Sequence, residues 1–363
     1  MQQILHGIEH LPAALSDSRK VLLVCDASYP YLSIRPAIDA LPHTLVRFDK
    51  FTSNPLYEDV CQGVQLFRHE QCDTILAVGG GSAIDVAKCI KLYCRMDDTQ
   101  SYLQQPYTDS GVPLIAIPTT AGTGSESTRY AVIYAQGVKQ SVTHESIIPN
   151  VAILEPMVLS TLPLYQKKCT LLDALCQGIE SWWSVNSTEE SQKNSRTAVE
   201  TIMAHWRSYI FDNDSLAATQ VMEAANLAGR AICITQTTAP HAFSYKLTSL
   251  YGIPHGHAVA IGLSPIWQYM LSHPDKCIDP RGTTYLSGIF RQIASAMGCC
   301  TPEEAIALFR QMLTQMEMTL QVNAHNDAEL DLLATSVNPI RLGNNPISLN
   351  GEAIREIYRE ILK

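Results

Sequence analysis

Four short apolar runs in the first 160 residues constrain the fold of this chain most strongly. They cover residues 21–25, 74–78, 114–117 and 151–154, and segments long enough for helices separate them. A strand that is apolar at every position is buried on both faces, as in a parallel sheet covered by helices. The runs therefore predict an α/β domain with a parallel sheet.

From about residue 161 onward the pattern changes. Apolar residues recur there at spacings of three and four, which is the period of helices with one buried face. Thr301, Pro302 and Glu304 have the pattern of a helix start, with an N-cap, a first-turn proline and a capping-box glutamate. We therefore expect an α/β domain over residues 1–160 and an all-helical domain over residues 161–363.

Composition excludes several classes of protein. The 363 residues are 46% hydrophobic and 17% charged, which argues against a disordered chain. The net charge of −9 gives no attraction to nucleic acid or to anionic membranes. We recognise no signal peptide and no apolar run near the ~20 residues of a membrane span. Eleven cysteines without a secretion signal favour a reducing compartment, so we expect a cytoplasmic location, and the lack of a C-x-x-C pair argues against a zinc knuckle or a thioredoxin-type motif.

A glycine-rich loop follows the second apolar run. Gly79, Gly80, Gly81 and Ser82 lie between that strand and a predicted helix. Glycine lets a ligand approach the backbone, and the N–H groups at a helix N-terminus favour a phosphate. The loop lacks the G-x-G-x-x-G pattern of ordinary dinucleotide folds. The alternative is a tight turn in which Ser82 and Asp85 cap the helix.

A second polar loop, residues 118–126, follows the third run. It holds three threonines, a serine and two glycines. Taken alone, it has the composition of a surface loop. Two such loops after two strands of one sheet favour a nucleotide site, because open α/β sheets bind nucleotides at the carboxyl ends of their strands.

The helical half holds candidate metal ligands. Asp173 and Gln177 are four residues apart and share a helix face, as do His241 and Tyr245, and His255 follows. One carboxylate with two imidazoles suits Fe(II) or Zn(II). The alternative is that each is an ordinary hydrogen-bonded helix residue.

At these residues the chain resembles the iron-containing (group III) alcohol dehydrogenase family. The matching stretches are GGGSxxDxAK at 79–88, PTTAGTGSE at 118–126, the helix at 173–180, the His241 segment, the turn at 254–256, and Asn338-Pro339 with Arg341. The resemblance implies a dehydroquinate-synthase-like fold with a nucleotide domain, a helical metal domain and an active site in the cleft between them. It also favours a homodimer, because the family is often dimeric.

The resemblance implies the residues that hold the dinucleotide. Gly79, Gly80, Gly81 and Ser82 would bind the pyrophosphate with Asp85 nearby, and Asn54, Thr119, Thr120, Thr123 and Lys139 would line the rest of the nucleotide. Asp26 ends the first apolar run, where its carboxylate can accept a hydrogen bond from a ribose 2′-hydroxyl but repels a 2′-phosphate. We therefore expect NAD(H) rather than NADP(H). An aspartate that only stabilises a turn is the alternative.

For the metal, Asp173, His241 and His255 match three ligands of the family. Gln177 stands where the family usually has histidine. A carboxamide oxygen is a harder and weaker ligand for Fe(II) than imidazole. Gln177 therefore either coordinates weakly or leaves an open position, as catalytic zinc sites have.

The resemblance implies reduction of an aldehyde by hydride transfer from the nicotinamide, with the metal as Lewis acid. The source of the proton stays open among His255, His257 and solvent. Tyr245 stands where many members have a further histidine, so a relay at that position would use a phenol.

The substrate is inferred from two stretches. Residues 137–149 and 167–191 resemble the branch of the family that reduces phosphonoacetaldehyde to 2-hydroxyethylphosphonate. A dianionic substrate needs fixed positive charge, for which Arg129 and His144 are candidates. The alternative is that both are surface or salt-bridged side chains.

Three other functions are weighed against this one. The first is a general short-chain alcohol or aldehyde dehydrogenase of the same family. The second is a dehydroquinate-synthase-like lyase, which uses NAD without net redox change. The third is a non-catalytic protein that has lost its metal through Gln177.

Overall fold

All four apolar runs form strands of one sheet in the computed structural model, which describes residues 2–320 and 326–363. The strands of the described chain are β1 (Gln3–His6), β2 (Lys20–Cys25), β3 (Thr44–Phe48), β4 (Thr74–Gly79), β5 (Leu114–Pro118), β6 (Tyr130–Ala135), β7 (Val138–Thr143) and β8 (Val151–Leu154). Six of them form a sheet in the order β1-β8-β5-β4-β2-β3, in which every neighbouring pair is parallel. Strands β6 and β7 form a separate antiparallel hairpin.

The pattern of burial explains this topology. Strands β4 and β5 are buried at every residue, and β2 and β8 at all but the first. The edge strands β1 and β3 are only partly buried. This matches the expectation for a parallel sheet covered on both faces.

The register of β4 and β5 positions the two polar loops. Gly79 at the end of β4 pairs with Pro118 at the end of β5, and the Thr119 N–H donates to the Gly79 carbonyl at 3.0 Å. The glycine-rich loop and the threonine-rich loop therefore leave the sheet side by side.

The helices of the described residues are α1 (Leu11–Ala14), α2 (Arg35–Asp39), α3 (Tyr57–His69), α4 (Gly81–Tyr93), α5 (Leu164–Trp183), α6 (Glu189–Arg207), α7 (Ser215–Thr235), α8 (Ala239–Tyr251), α9 (His255–Ser272), α10 (Thr283–Ala296), α11 (Pro302–Gln315), α12 (Asp327–Thr335), α13 (Pro339–Leu342) and α14 (Gly351–Ile361). As predicted, α11 begins at Pro302, and the Thr301 side chain accepts from the Glu304 N–H at 3.2 Å. In contrast, α4 has Gly80 as its N-cap, so the predicted Ser82–Asp85 cap is wrong.

The described chain divides into two units. The N-terminal unit comprises the residues up to Leu162 together with Asn213–Met222, and it contains the sheet. The C-terminal unit comprises Pro163–Asp212 and the described residues from Glu223 onward, and it is helical. The predicted fold class is therefore confirmed. None of the described helices combines the length and the apolar character needed to cross a membrane.

Helix α5 is the centre of the C-terminal unit. Sixteen of its twenty residues are buried, and it packs against α6, α9 and α10. Helix α8 packs in turn against α9. A helix buried on all sides can hold polar residues only where another element satisfies them, and α5 carries Asp173, Gln177 and Glu180.

Candidate metal centre and nucleotide-binding loops

Three predicted metal ligands come together inside the C-terminal unit. Asp173 lies in the middle of α5, His241 in the first turn of α8, and His255 is the first residue of α9. One donor atom from each lies within 4.8 Å of the other two. Asp173 and His241 are buried and His255 is half-buried, so the cluster lies at the boundary of the helical core.

Two glycines explain how these helices come so close. Gly252 has a φ of 67°, the left-handed conformation that ends many helices, and it terminates α8 three residues before His255. A Cβ added at Gly256 would lie 2.0 Å from the carbonyl oxygen of Cys169. Glycine therefore allows α9 to touch α5 one turn before Asp173, which places His255 beside that carboxylate.

The Asp173 carboxylate fits a metal ligand. Its Oδ1 is buried 3.3 Å from Nε2 of His241, and among the described residues no donor has hydrogen-bond geometry to it. Burial alone would raise the pKa of Asp173, but its hydrogen bonding and the His241 and His255 rings lower that pKa, so the group is ionised. A buried anionic oxygen of this kind is stabilised by a cation. One carboxylate with two imidazoles fits Fe(II) or Zn(II).

His241 lies between two carboxylates. Its Nδ1 is 2.5 Å from Oε1 of Glu180, and its Nε2 faces Asp173. Burial alone would lower the pKa of His241, but the two carboxylates raise it to about 9. The surroundings of this ring therefore favour positive charge, as a cation site requires.

Gln177 and Tyr245 lie next to the cluster. Gln177 is buried one turn after Asp173, and its side chain hydrogen-bonds the Asp173 carboxylate. The ring of Tyr245 stacks on that of His255, with centroids 6.1 Å apart and planes 10° apart. Coordination by Gln177 and a proton relay through Tyr245 stay predictions.

His257 hydrogen-bonds to two partners outside the three-ligand cluster. Its Nε2 donates to the carbonyl oxygen of Met318 at 2.9 Å, which leaves Nδ1 to accept from the Tyr165 hydroxyl at 2.9 Å. Burial lowers the pKa of His257, so the ring is neutral. Its role as proton donor stays a prediction, and both of its nitrogens have other partners.

In the N-terminal unit the two polar loops face each other. A Cβ added at Gly81 would lie 2.8 Å from Thr123 Oγ1, and one at Gly80 would lie 3.5 Å from Thr120. Thr119 is buried and bonded to Gly79, as described above. The predicted pyrophosphate loop and the threonines predicted to line the nucleotide therefore share one place, at the N-terminus of α4.

Asp26 and Asn54 belong to the same place. Asp26 Oδ2 accepts from the Gly80 N–H at 3.4 Å, and Ser82 Oγ donates to the carbonyl oxygen of Ser53 at 2.5 Å. The second contact holds the segment containing Asn54 against the start of α4. The structure thus places Asp26 and Ser82 at the glycine-rich loop, with the backbone next to Asn54 held beside them.

Asp85, predicted to lie near the pyrophosphate, bonds to residues of its own unit. Its carboxylate accepts from Ser125 Oγ at 2.6 Å and from the Val132 N–H at 2.9 Å. It therefore joins α4 to the end of the threonine-rich loop and to β6. Lys139 on β7 is near enough to lower the pKa of Asp85, which burial raises above its ordinary value. Direct cofactor contacts for both residues stay predictions.

The two candidate substrate residues have local partners. Arg129 forms an ion pair with Glu145 and donates to the Tyr130 hydroxyl at 3.1 Å. His144 Nδ1 contacts Ser146 Oγ at 2.7 Å and accepts from the Ser146 N–H at 3.2 Å, so it caps a short turn. Their binding to an anionic substrate stays a prediction.

Two buried ionisable residues of these sites were not predicted from the sequence. Glu180 accepts hydrogen bonds from His241 and Thr238, and Lys88 donates to the carbonyl oxygens of Thr128 and Tyr130. A signal was available for Glu180, because it follows Asp173 by seven residues and so lies on the same helix face. Both residues also lie inside the stretches that carried the family resemblance.

Comparisons with known proteins agree with this architecture. Residues 3–156 match the family described as iron-containing alcohol dehydrogenase, and residues 168–362 match the C-terminal region of the Fe-containing alcohol dehydrogenase family. The phosphonoacetaldehyde reductase of Streptomyces viridochromogenes is 31% identical over 98% of this chain and 94% of its own.

Solved structures share the fold. An iron-containing alcohol dehydrogenase from Thermococcus thioreducens superposes with a TM-score of 0.89 at 23% identity, covering 99% of this chain and 98% of its own. A sulfoacetaldehyde reductase from Bifidobacterium kashiwanohense, in complex with NAD⁺, gives 0.87 at 23% identity, covering 99% and 96%. These matches confirm the predicted family and enzyme class: the chain belongs to the iron-containing alcohol dehydrogenase family of oxidoreductases.

Proposed function

We propose that this protein reduces an aldehyde to a primary alcohol, using NADH and a divalent ion, Fe(II) or Zn(II). The observation that carries the proposal is the convergence of Asp173, His241 and His255, whose donor atoms lie within 4.8 Å of one another. The ion supplies Lewis acidity towards the carbonyl oxygen, and the dinucleotide supplies the hydride.

The helical residues hold and orient the ligands. Ser244 Oγ donates to the His241 carbonyl at 2.8 Å, so its lone pair faces His255 Nδ1 at 3.3 Å. We therefore place the hydrogen of His255 on Nδ1, which leaves Nε2 as the proposed ligand atom. Of the predicted proton-bearing side chains, Tyr245 stacks on this ring, whereas His257 has two other partners, so we assign the proton relay to the Tyr245 phenol.

The loop residues bind the dinucleotide. The N–H groups at the start of α4 favour the pyrophosphate. The Asp26 carboxylate beside Gly80 favours NADH, because it repels a 2′-phosphate. The proposed nucleotide site comprises Asp26, Asn54, Gly79, Gly80, Gly81, Ser82, Thr119, Thr120, Thr123 and Lys139, with Asp85 as support.

For the substrate we propose phosphonoacetaldehyde, which gives 2-hydroxyethylphosphonate. Its support is the full-length similarity to a phosphonoacetaldehyde reductase and the presence of Arg129 and His144. A second candidate is a neutral short-chain aldehyde, because Arg129 already pairs with Glu145 and His144 with Ser146. Homodimerisation and a cytoplasmic location stay predictions.

The test is oxidation of NADH and NADPH with phosphonoacetaldehyde and with propanal, in Fe(II), Zn(II) or EDTA. We expect metal-dependent turnover with NADH and the higher kcat/KM for phosphonoacetaldehyde. Propanal with an equal or higher kcat/KM would select the second candidate. Folded Asp173→Ala and His255→Ala variants that still bind NADH and keep full turnover would remove the metal from the proposal. A lyase or a non-catalytic protein would consume no NADH with either aldehyde.

A further inference from the structure

Glu180 is a fully buried carboxylate in the last turns of α5. Its exposed fraction is 0%, and its oxygens accept three hydrogen bonds: from His241 Nδ1 at 2.5 Å, from the Thr238 N–H at 2.8 Å and from Thr238 Oγ1 at 3.0 Å. A buried carboxylate is tolerated only when it is satisfied in this way. Glu180 therefore joins α5 to the first turn of α8, which carries His241.

The direction of each of these hydrogen bonds is fixed by chemistry. The indole of Trp183 can only donate, and its Nε1 donates to Thr238 Oγ1 at 2.9 Å. The Thr238 hydroxyl consequently gives its own hydrogen to Glu180. The backbone N–H of Thr238 is also a donor, so both oxygens of Glu180 act only as acceptors.

This arrangement determines the state of the His241 ring. A carboxylate that only accepts keeps a hydrogen of His241 on Nδ1. Nε2, on the side of Asp173, is then the atom that can give up its hydrogen and hold an ion with its lone pair. Carboxylates that bind the remote nitrogen of a histidine ligand are known to fix its orientation and raise its basicity.

We propose that Glu180 is a positioning residue that fixes the tautomer and orientation of His241, making Nε2 the ligand atom. The inference rests on the proposed function, since it concerns the same ion. It adds a residue that sets the affinity of the centre without touching the ion.

Replacement by the isosteric amide separates positioning from a structural role. In Glu180→Gln, one oxygen cannot serve both His241 and Thr238. If the oxygen faces Thr238, the NH₂ group faces His241 and drives the ring hydrogen to Nε2, where it blocks the ion. If the oxygen faces His241, the NH₂ group meets two donors of Thr238. The first orientation changes the tautomer of His241, and the second displaces Thr238 at the N-cap of α8, the helix that orients the His241 ring. Both weaken the ligand, whereas a structural role predicts a loss of stability alone.

The experiment is titration of the metal-free full-length protein with Zn²⁺ against a competing chelator. Ser181→Ala is the matched control, because Ser181 is the next residue of α5, is equally buried, and its hydroxyl bonds to the Ser195 hydroxyl at 2.9 Å. We expect Glu180→Gln to weaken Zn²⁺ binding about 10- to 100-fold, with the control unchanged. Circular dichroism and thermal unfolding verify that both variants are folded.

Three results would count against specific statements. A folded Glu180→Gln variant with wild-type Zn²⁺ affinity would overturn the positioning role. Should that variant not fold, ¹⁵N NMR of histidine rings in the Zn²⁺-loaded wild type decides, because the inference requires a hydrogen on Nδ1 and the metal on Nε2 of His241, and the opposite assignment refutes it. Wild-type protein that binds no Zn²⁺, or binds it equally well after His241→Ala, would instead refute the proposed metal function.

Discussion

Single residues at these sites act through the hydrogen bonds that they can donate or accept. Asp26 accepts from the Gly80 N–H and from the Ser28 N–H, and these bonds hold its carboxylate against the glycine-rich loop. His241 and His257 differ in the same respect, since one faces carboxylates and the other faces a carbonyl oxygen and a phenol. The contribution of each donor or acceptor can be tested by a substitution that removes or replaces that group alone.

Asp26→Ser should change the preference for the cofactor. Serine can still bond to a ribose hydroxyl but no longer repels a 2′-phosphate. We expect the ratio of kcat/KM for NADPH to that for NADH to rise about tenfold or more, which corresponds to roughly 1.4 kcal/mol. Steady-state kinetics with both cofactors gives the ratio. An unchanged ratio would mean that Asp26 stabilises only its turn.

Gly256→Ala should destabilise the protein and weaken ion binding. The added methyl group would lie 2.0 Å from the Cys169 carbonyl oxygen and 3.0 Å from Asp173 Cβ, so α9 must move away from α5. We expect a loss of about 1–3 kcal/mol in the free energy of unfolding, measured by urea denaturation. Gly288→Ala is the control, because nothing lies within 4 Å of its Cβ position in α10 and alanine is favoured in helices. Equal stability of the two variants would contradict the close contact.

At the scale of whole elements, much of the fold followed from the sequence. The buried runs predicted β2, β4, β5 and β8, because a strand covered on both faces must be apolar throughout. The edge strands β1 and β3 and the β6–β7 hairpin were not predicted. Their residues are partly exposed, so their sequences lack the continuous apolar signal.

The same limit applies to the candidate sites. The two polar loops could be predicted because each directly follows a buried strand, which is a local signal. The metal ligands could be predicted because they match the spacing of a family motif. Glu180 and Lys88 were missed because their partners are distant in sequence: Glu180 is 61 residues from His241, and Lys88 is 40 residues from the Thr128 carbonyl that it bonds. A sequence shows that such residues are charged, but only the fold shows what they bind.

Lys88→Met should loosen the connection between α4 and the hairpin. The buried ammonium has four oxygens within 2.7 to 3.1 Å, namely Ser125 Oγ, the carbonyl and hydroxyl oxygens of Thr128, and the Tyr130 carbonyl, which share its three hydrogens. Methionine fills the space but leaves these acceptors and Asp85 without the cation. We expect a loss of about 3–5 kcal/mol in the free energy of unfolding, together with weaker NADH binding.

Lys91→Met is the matched control for that loss. Lys91 is also buried on α4, where burial lowers its pKa, and its contact is with Asn150 Oδ1 at 3.2 Å. We expect a smaller loss of stability and no change in NADH affinity. Chemical denaturation and NADH fluorescence titration measure both quantities. Equal losses of stability and of NADH affinity in the two methionine variants would mean that Lys88 does not support the threonine-rich loop specifically. The loss would then follow from removing any buried lysine of α4.

At the scale of the whole molecule, the two candidate sites belong to different units. The glycine-rich and threonine-rich loops lie in the N-terminal unit, and Asp173, His241 and His255 lie in the C-terminal unit. Each set of residues is held by contacts within its own unit, such as the Thr119–Gly79 bond and the Glu180–His241 bond. Binding of the dinucleotide should therefore not require the metal ligands.

This independence predicts that Asp173→Ala and His241→Ala variants bind NADH as the wild type does while losing turnover. The reason is that neither side chain contributes to the fold of the loops around Gly79 and Thr119. Fluorescence titration gives the NADH affinity, and metal analysis of the same samples gives the loss of the ion.

The reverse experiment uses Gly81→Val, whose side chain would collide with Thr123, 2.8 Å from the Cβ position. That variant should lose NADH binding and keep its Zn²⁺ affinity, and a loss of both in either experiment would show that the two units do not bind their ligands separately.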